Sequence, residues 1–434
     1  MADLTLAPPR PHIARRPLVL GTLGHVVNDA YTAFLPAMLP MFHLQHGLDE
    51  TTLAGLVAIF ALSASLPGPF LGKLSDRFGE AYVTATSVLF SAVLLSLLAV
   101  VPSVPLLFAL VAVAGLGSAA IHPAGSMLVR QGSSRPEFAV ALFAAGGMLG
   151  YAAGPTLLAA ARDNAGPALP FILVLPGIVA AATIMALVPV GSTQSRPTST
   201  TAAHFDWPLV FGPVGLVTLA AALAFVPATA VLNGLPLFLM ERHGLPDTHP
   251  AIAGTLTTFS LAAAIGGIGV GLLAARLSRT WLLAAVLTGS VPAFLALLWL
   301  APDATGYAIV LGAAGALSYA ATPILVVAAQ DLAPRSGATA SGMVFGLGSA
   351  LAGLMYFGIG ALQAEVGVGL ALSLAFVAPI LSAAISFAVL RRIPSVAAAS
   401  VTETLCVCAA ASGAGIVTCA PSCTLSRNGV SRNA

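Results

Sequence analysis

Charged side chains are scarce in this sequence. Asp, Glu, Lys and Arg together make up 7% of its 434 residues, whereas soluble domains average about 25%. Hydrophobic residues reach 58%. This composition argues against an ordinary soluble enzyme, and the net charge of +2 is too small to predict nucleic acid as a partner. An integral membrane protein is the class that remains.

A nucleotide-binding loop is also missing, because no G-x4-G-K-[ST] string occurs in the chain. We therefore expect neither ATP coupling nor a cofactor. Cysteine occurs only in the tail, at Cys406, Cys408, Cys419 and Cys423. The spacing C-x-C followed by C-x3-C lacks the C-x2-C pair typical of zinc sites. It predicts reduced thiols in an unstructured tail and no metal site.

Long apolar runs are what the sequence has in abundance. A run of about 20 apolar residues is long enough to cross a hydrocarbon core of about 30 Å as a helix. The sequence predicts an all-α integral membrane protein with twelve such spans, at residues 18–42, 53–73, 82–101, 105–129, 138–161, 169–190, 209–240, 251–275, 281–300, 307–330, 337–362 and 367–390.

Basic residues set the predicted orientation of these spans. With twelve spans, fifteen of the seventeen Lys and Arg residues fall in one set of loops and tails, and only Arg162 and Arg242 fall in the other. Basic residues near span ends stay in the cytoplasm far more often than they cross. Both termini are therefore predicted to be cytoplasmic, in a multi-pass protein of the inner (plasma) membrane. The first run is long, contains an acid and lacks a cleavage site, so it is interpreted as a span and not as a signal peptide.

A polar stretch rich in Ser, Thr and Pro divides the spans six and six. It predicts five segments along the chain. These are a cytoplasmic N-terminal segment at 1–17, a six-helix bundle at 18–190, a cytoplasmic linker at 191–208, a second six-helix bundle at 209–392 and a cytoplasmic tail at 393–434.

The two bundles carry related strings about 200 residues apart. His-Gly-Leu at 46–48 returns at 243–245, GKLSDRFG at 72–79 is echoed by GLLAARLS at 271–278, and His122-Pro123 aligns with Thr322-Pro323. Two six-helix repeats joined by a linker are typical of secondary transporters whose site lies between the halves near the bilayer midplane. Alternating access then results from one half rocking against the other.

Three polar residues stand out in the first span. His25, Asn28 and Asp29 are spaced i, i+3 and i+4, so they share one helical face near mid-depth. Insertion of Asp at a helix centre costs about 2.5 to 3.5 kcal/mol, and such groups usually face a cavity. Burial disfavours the charged forms of Asp and His, which favours binding and release of a proton. The alternative is a hydrogen-bonded polar cluster that has only a structural role. It would fix helix packing, or satisfy backbone hydrogen-bonding groups left unpaired by a nearby proline.

The loop after the second span resembles the conserved G-x-L-a-D-r-x-G loop of the major facilitator superfamily. Its matching residues are Gly72, Asp76, Arg77 and Gly79. The resemblance implies that this loop latches the inward side shut, with Asp76 accepting hydrogen bonds from a neighbouring helix N-terminus. Ala275 replaces the acid in the second repeat, and Val111 stands where the superfamily usually has a span-four arginine.

The fifth span contains Gly150, Gly154 and Pro155, which look like the g-x-x-x-G-P core of the superfamily's antiporter motif. Small residues one turn apart permit tight helix contact, and the proline is expected to bend the span so that a gate can close. Leu157 and Leu158 stand where further glycines are expected. The pattern also fits ordinary helix packing.

A closer resemblance is to the fosmidomycin resistance protein group of that superfamily. It rests on His25-Val-Val-Asn28-Asp29 in the first span and on the fourth-span string from Gly115 to Gly125, which contains His122-Pro123. The resemblance implies efflux activity and places spans one and four beside one cavity. His122 is therefore expected to face the same cavity as Asp29.

The sequence thus predicts a proton-coupled efflux carrier that works by antiport on a small organic compound or drug. Asp29, His122 and His25 are the predicted proton-coupling residues, and Asn28, Tyr31 and Asn233 are predicted to line the substrate cavity. The competing interpretations are an uptake symporter for a small organic metabolite and, remotely, a membrane-embedded hydrolase. An organic-anion symporter would need a mid-depth arginine, and a hydrolase an activated nucleophile; the spans supply no convincing example of either.

The ends of spans four and ten carry further charges. Arg130, Asp331 and Arg335 are compatible with a gate between the halves, although charges that only mark helix ends are the more common arrangement. Aromatic residues in the spans are candidates for substrate contact or for packing. They are Tyr31, Phe34, Phe143, Tyr151, Phe345 and Tyr356.

Overall fold

The computed structural model describes residues 15–48, 50–131, 133–188, 207–246 and 249–392. Their regular secondary structure is helical, which confirms the predicted all-α class. The first half contains α1 (Arg15–Thr32), α2 (Phe34–His46), α3 (Glu50–Ser65), α4 (Gly68–Phe78), α5 (Glu80–Leu97), α6 (Val104–Arg130), α7 (Pro136–Ala165) and α8 (Leu169–Leu187).

The second half begins with α9 (Trp207–Phe211), whose first two residues fall inside the predicted linker. The rest of that linker and the cysteine-containing tail lie outside the described residues. The other helices of this half are α10 (Pro213–Asn233), α11 (Leu235–His243), α12 (Pro250–Leu273), α13 (Arg279–Ala296), α14 (Thr305–Leu332), α15 (Gly337–Gly342), α16 (Gly348–Val366) and α17 (Val368–Leu390), with a π-helical turn at Met343–Leu347 between α15 and α16.

Ten helices among the described residues are long and apolar enough to cross a membrane, and an eleventh span counts if α3 and α4 are one span bent by 41°. The remaining predicted span is formed by α1 and α2. Asp29 and the two arginines at its start lower its hydropathy, and a turn at Ala33 divides it. The structure is consistent with twelve spans, although neither α1 nor α2 alone is long and apolar enough to cross a membrane.

The two halves repeat the same order of elements about 200 residues apart. The first span of each half is interrupted, at Ala33 and at Gly234. The fourth spans, α6 and α14, both contain a proline, Pro123 and Pro323. Each half also has its own apolar core, around Phe42 in the first and Phe294 in the second. Contacts between the halves join them into one compact unit that extends to Leu390.

Small residues bring α1 and α7 into close contact within the first half. A methyl group at Gly150 would overlap the backbone carbonyl of Val26, and one at Gly154 would overlap that of Ala30. Spans one and five therefore pack backbone against backbone, as small residues one turn apart permit. This contact fixes the face of α1 that carries Asp29 against α7.

Candidate functional site

The first and fourth spans bring three of the predicted residues together. Nε2 of His25 lies 3.2 Å from Oδ2 of Asp29, one turn further along α1. The same Nε2 lies 3.3 Å from Nε2 of His122 on α6. We refer to His25, Asp29 and His122 as the His–Asp cluster. The expectation that His122 faces the same site as Asp29 agrees with this geometry.

The other ring nitrogen of each histidine contacts a backbone carbonyl. Nδ1 of His25 lies 2.7 Å from the carbonyl oxygen of Phe143, and Nδ1 of His122 lies 2.7 Å from that of Ser118. A carbonyl oxygen only accepts hydrogen bonds, so each Nδ1 must carry a hydrogen. In neutral rings both Nε2 atoms then carry lone pairs, and they face each other beside the Asp29 carboxylate.

The second oxygen of Asp29 is also held in place. The Asn28 side-chain amide donates to Oδ1 of Asp29 over 3.0 Å, and the Ser91 hydroxyl on α5 donates to Oδ1 of Asn28 over 2.8 Å. Asn28 is completely buried. These contacts support a role for Asn28 in positioning Asp29 and do not favour the predicted role of lining a substrate cavity.

The cluster lies in a tight and mostly apolar enclosure. The Phe143 ring stacks on His25 with centroids 4.0 Å apart, and the Phe345 ring from the second half lies 5.4 Å from that of His122. His25 is 3% exposed, whereas the Asp29 side chain keeps 16% of its surface accessible. Asp29 is therefore the member of this pair through which a proton could enter or leave.

Two predicted cavity residues lie elsewhere. Tyr31 is buried, donates its hydroxyl to the carbonyl of Leu173 over 2.6 Å and accepts the backbone N–H of Gly177 over 2.9 Å. Its hydroxyl group thus connects span one to span six. Because both hydrogen bonds are made within the protein, they do not favour contact with a substrate. Asn233 is exposed at the end of α10 and donates to the carbonyl of Thr229. Its predicted contact with a substrate stays a prediction.

Two residues of the site had no clear sequence signal. Ser91 is one of several serines in an apolar span, and nothing in the local pattern indicates its bond to Asn28. Gly147 follows another glycine, Gly146, in α7, and its sequence context does not indicate a place beside the cluster. A Cβ at Gly147 would lie 2.5 Å from Cε1 of His25 and 2.7 Å from Oδ2 of Asp29, so only glycine leaves room for the cluster.

Pro155 lies inside α7, which continues as one helix from Pro136 to Ala165. It lines a cavity of about 230 Å³ in the first half together with Met38, Met41 and Arg162. None of the cluster residues lines this cavity. A gating role for Gly150, Gly154 and Pro155 stays a prediction.

Asp76 joins the two halves at the end of the bundle that carries most of the basic residues, which we call the basic end. Its carboxylate accepts the backbone N–H groups of Ala338 and Thr339 over 3.0 and 2.9 Å, and the Thr339 hydroxyl over 2.6 Å. Gly72 permits this approach, because a Cβ there would overlap the Ala338 backbone. The geometry is that expected of a carboxylate at a helix N-terminus.

The other two residues of this loop act locally. The Arg77 guanidinium lies over the ring of the neighbouring Phe78, 5.3 Å from its centroid. Gly79 ends α4 with a φ of 97°, a backbone conformation that glycine adopts without strain. The latch contact described for this loop is therefore made by Asp76 and Gly72.

Alternating charges form a second connection at the basic end. Arg130 of the first half donates to Gln330 over 2.8 Å and forms an ion pair with Asp331 of the second half. Arg279 bonds Asp331 over 2.7 Å and forms an ion pair with Glu137 at the start of α7. The charges at these helix ends thus pair across the halves.

Comparison with known proteins gives the family. The Major Facilitator Superfamily model matches residues 21–357. The fosmidomycin resistance protein of Escherichia coli K12 is 24% identical over 339 residues, which cover 77% of this chain and 82% of that protein. The uncharacterized MFS-type transporter YfnC of Bacillus subtilis 168 is 25% identical over 366 residues, covering 81% of this chain and 87% of that protein.

Solved structures of low sequence identity share the fold. The fucose:proton symporter FucP of E. coli is 16% identical, with a TM-score of 0.65 and coverage of 86% of this chain and 98% of that one. The human organic anion transporter MFSD10 is also 16% identical, with a TM-score of 0.67 and coverage of 88% and 100%. At this identity the likeness shows the fold alone.

Proposed function

The chain belongs to the Major Facilitator Superfamily, and from that premise we propose that it exports a small organic compound across a membrane in exchange for protons. Family membership points to a transporter and not to an enzyme. The His–Asp cluster is accordingly interpreted as the site where a coupling proton binds, and the remote alternative of a membrane-embedded hydrolase loses its support.

The proposal rests on three hydrogen-bond acceptor atoms that lie close together in the cluster. Both Nδ1 hydrogens are donated to backbone carbonyls, so Nε2 of His25, Nε2 of His122 and Oδ2 of Asp29 have no hydrogen between them when the rings are neutral. At 3.2 and 3.3 Å both neighbours of His25 Nε2 are within hydrogen-bond reach, so a hydrogen on this nitrogen would be donated to either of them. The cluster therefore has a place for one proton.

Charge gives a reason for that proton to bind and leave. Without it the cluster carries the negative charge of Asp29 in a mostly buried site, and with it the cluster is neutral overall. An uncompensated charge at span depth is costly. The Asp29 side chain keeps 16% of its surface accessible, which gives a proton a way to reach the cluster. When the cluster becomes accessible from the other side of the membrane, the proton is released on that side.

Contacts between the halves hold the basic end closed in this structure. Positive residues favour the cytoplasmic side, so we place the basic end and both termini in the cytoplasm of the inner membrane. Asp76 with the first turn of α15, and Arg130 with Asp331, hold the halves together there. We propose that breaking these contacts opens the cytoplasmic side, with α1 and α6 carrying the cluster from one exposure to the other.

The direction and the substrate class draw on the E. coli relative, which is a fosmidomycin resistance protein. Uptake by symport is the alternative. The arginines of the described residues lie at helix ends or in loops, so none is placed at mid-depth to bind an organic anion. Export of a compound such as fosmidomycin in exchange for protons is the mode we propose.

The experiment uses proteoliposomes with a pH-sensitive dye trapped inside. A panel of compounds that includes fosmidomycin is added outside without an imposed gradient. Antiport predicts that the interior becomes more alkaline as compound enters, because protons leave, whereas symport predicts acidification. Asp29→Asn should abolish the response. Asp303→Asn, the same change at an exposed loop residue, is the control and should leave it intact.

Two results would contradict the proposal. Acidification by an active compound would establish symport. An equal response in wild type and Asp29→Asn would remove Asp29 from proton coupling.

A further inference from the structure

We propose that the His–Asp cluster is also a binding site for a divalent transition-metal ion of the zinc type, which competes with the coupling proton. Binding of the ion is inferred from the ligand geometry alone. Only its consequence for transport rests on the proposed function. The ion would act as an inhibitor that occupies the proton's place.

The distances between the donor atoms match those of a metal site. Zinc binds imidazole nitrogen and carboxylate oxygen at about 2.0 to 2.2 Å, which separates two ligands of a tetrahedral ion by about 3.3 Å. The His25 Nε2 atom lies 3.3 Å from Nε2 of His122 and 3.2 Å from Oδ2 of Asp29. All three atoms lie within 4.8 Å of one another. The donor atoms of His122 and Asp29 must come to about the same separation when the ion binds.

The surrounding hydrogen bonds already hold the ligands as metal sites require. Histidines that bind metals usually donate their second ring N–H to a carbonyl or carboxylate, which fixes the tautomer and aims the free nitrogen at the ion. Here Phe143 and Ser118 supply the two carbonyls. Asn28, held by Ser91, fixes the other oxygen of Asp29.

The donor set selects the class of ion. Two imidazoles and one carboxylate suit Zn²⁺, Co²⁺ and Ni²⁺, whereas Ca²⁺ and Mg²⁺ prefer sites built of oxygen. Three protein ligands leave a coordination position for water or another small donor. The ion and the proton use the same lone pairs, so one excludes the other. Zinc is therefore expected to block proton exchange while it is bound.

The binding test uses the full chain in detergent with the four tail cysteines changed to serine, because thiols are strong zinc ligands. Zn²⁺ binding is measured by calorimetry, and Co²⁺ binding by its visible absorption, which reports the ligand geometry. We expect one ion per chain at the cluster. Asp29→Asn and His122→Gln should each weaken binding by about 100-fold, and Ser91→Ala, which loosens Asn28, by about tenfold.

The matched control is His43→Gln. His43 is exposed and uses Nδ1 to contact the carbonyl of Leu48, so it resembles the cluster histidines in one contact but lies outside the cluster. Its loss should not change the cluster affinity. Helical circular dichroism and size-exclusion elution identify any variant that does not fold. In folded protein, Zn²⁺ should also raise the unfolding temperature of the Cys-free parent and not of its Asp29→Asn variant.

Metal binding and proton exchange are measured separately, so that loss of one does not count against the other. Equal Zn²⁺ and Co²⁺ binding by the Cys-free parent and both ligand variants would overturn the metal site, whatever the transport result. Proton exchange is measured separately in the presence of a chelator, and its absence there would count against antiport only. If both hold, Zn²⁺ should inhibit exchange by the Cys-free parent reversibly, and the chelator should restore it; exchange that continues with the site occupied would overturn the competition.

Discussion

The two halves share a backbone plan but not its chemistry. The first span of each half is interrupted, at Ala33 and at Gly234. Four residues before the interruption stands Asp29 in the first half and Ala230 in the second, and His25 corresponds in the same way to Val226. Both substitutes are buried and apolar. The repeat therefore preserves helix packing, while the residues of the His–Asp cluster occur only in the first half.

The fourth spans differ in the same way. His122 and Thr322 both precede a helix proline, yet His122 joins the cluster, whereas the Thr322 hydroxyl is buried without a hydrogen-bond partner among the described residues. The second half contributes the Phe345 ring that lies against His122. At this contact the second half therefore presents an apolar ring to the cluster and no polar partner.

The largest expected effect comes from moving the acid between halves. Asp29→Ala should reduce compound-driven proton exchange by about 100-fold or more, and Ala230→Asp added to it should not restore exchange, because a second-half carboxylate would have no histidine partner at the positions of Val226 and Thr322. Dye-loaded proteoliposomes measure both variants. Restored exchange in the double variant would show that a carboxylate in either half can serve in coupling.

The latch at the basic end should show the next largest effect. Asp76→Asn weakens charge-assisted bonds to the α15 backbone, each worth about 1.5 to 3 kcal/mol, so the closed basic end should be about 10- to 100-fold less populated relative to the open one. Spin labels at Leu74 and Arg335, both exposed, report the distance between the halves.

Ala275→Asp provides the comparison for that variant. It places an acid at the equivalent position of the second half, where the side chain is exposed. The distance distribution should not change. A shift as large as that of Asp76→Asn would mean that the second repeat retains a working latch.

A smaller effect is expected for Glu137→Gln. It removes the ion pair with Arg279, but Arg279 keeps its bond to Asp331. The Arg279 side chain is 33% exposed, so solvent screens part of the interaction. We expect a shift of about 1 kcal/mol towards the open basic end, or about fivefold in population, with the same spin labels. A shift larger than that of Asp76→Asn would make the ionic network the main connection between the halves.

The smallest effect is expected at Thr322. Thr322→Val replaces a buried hydroxyl that has no partner among the described residues with a methyl group of similar size, so the unfolding temperature should stay the same or rise slightly. Proton exchange should change by less than about threefold, whereas His122→Gln should lower it by at least about tenfold. A strong loss in Thr322→Val would assign the second half a polar role in coupling.

Much of the fold could be predicted from the sequence because the bilayer imposes simple rules. Apolar length, basic loops and the repeated strings gave the membrane class and the two-repeat plan, which the family and the helices confirm. The spacing of His25, Asn28 and Asp29 placed them on one helical face. Their partners were harder to identify, since Ser91 and Tyr31 look like ordinary polar residues in apolar spans.

The sequence by itself determined that this chain spans a membrane, that it consists of two related halves and that one half carries costly polar groups at mid-depth. Periodicity, hydropathy and the cost of burying an acid depend on local residues and are readable without coordinates. Only the tertiary structure decided that Nε2 of His122 meets Nε2 of His25, that Asn28 supports Asp29 and that Tyr31 fastens span one to span six. These contacts join residues of different helices, and their positions depend on how closely small residues such as Gly147 let those helices approach.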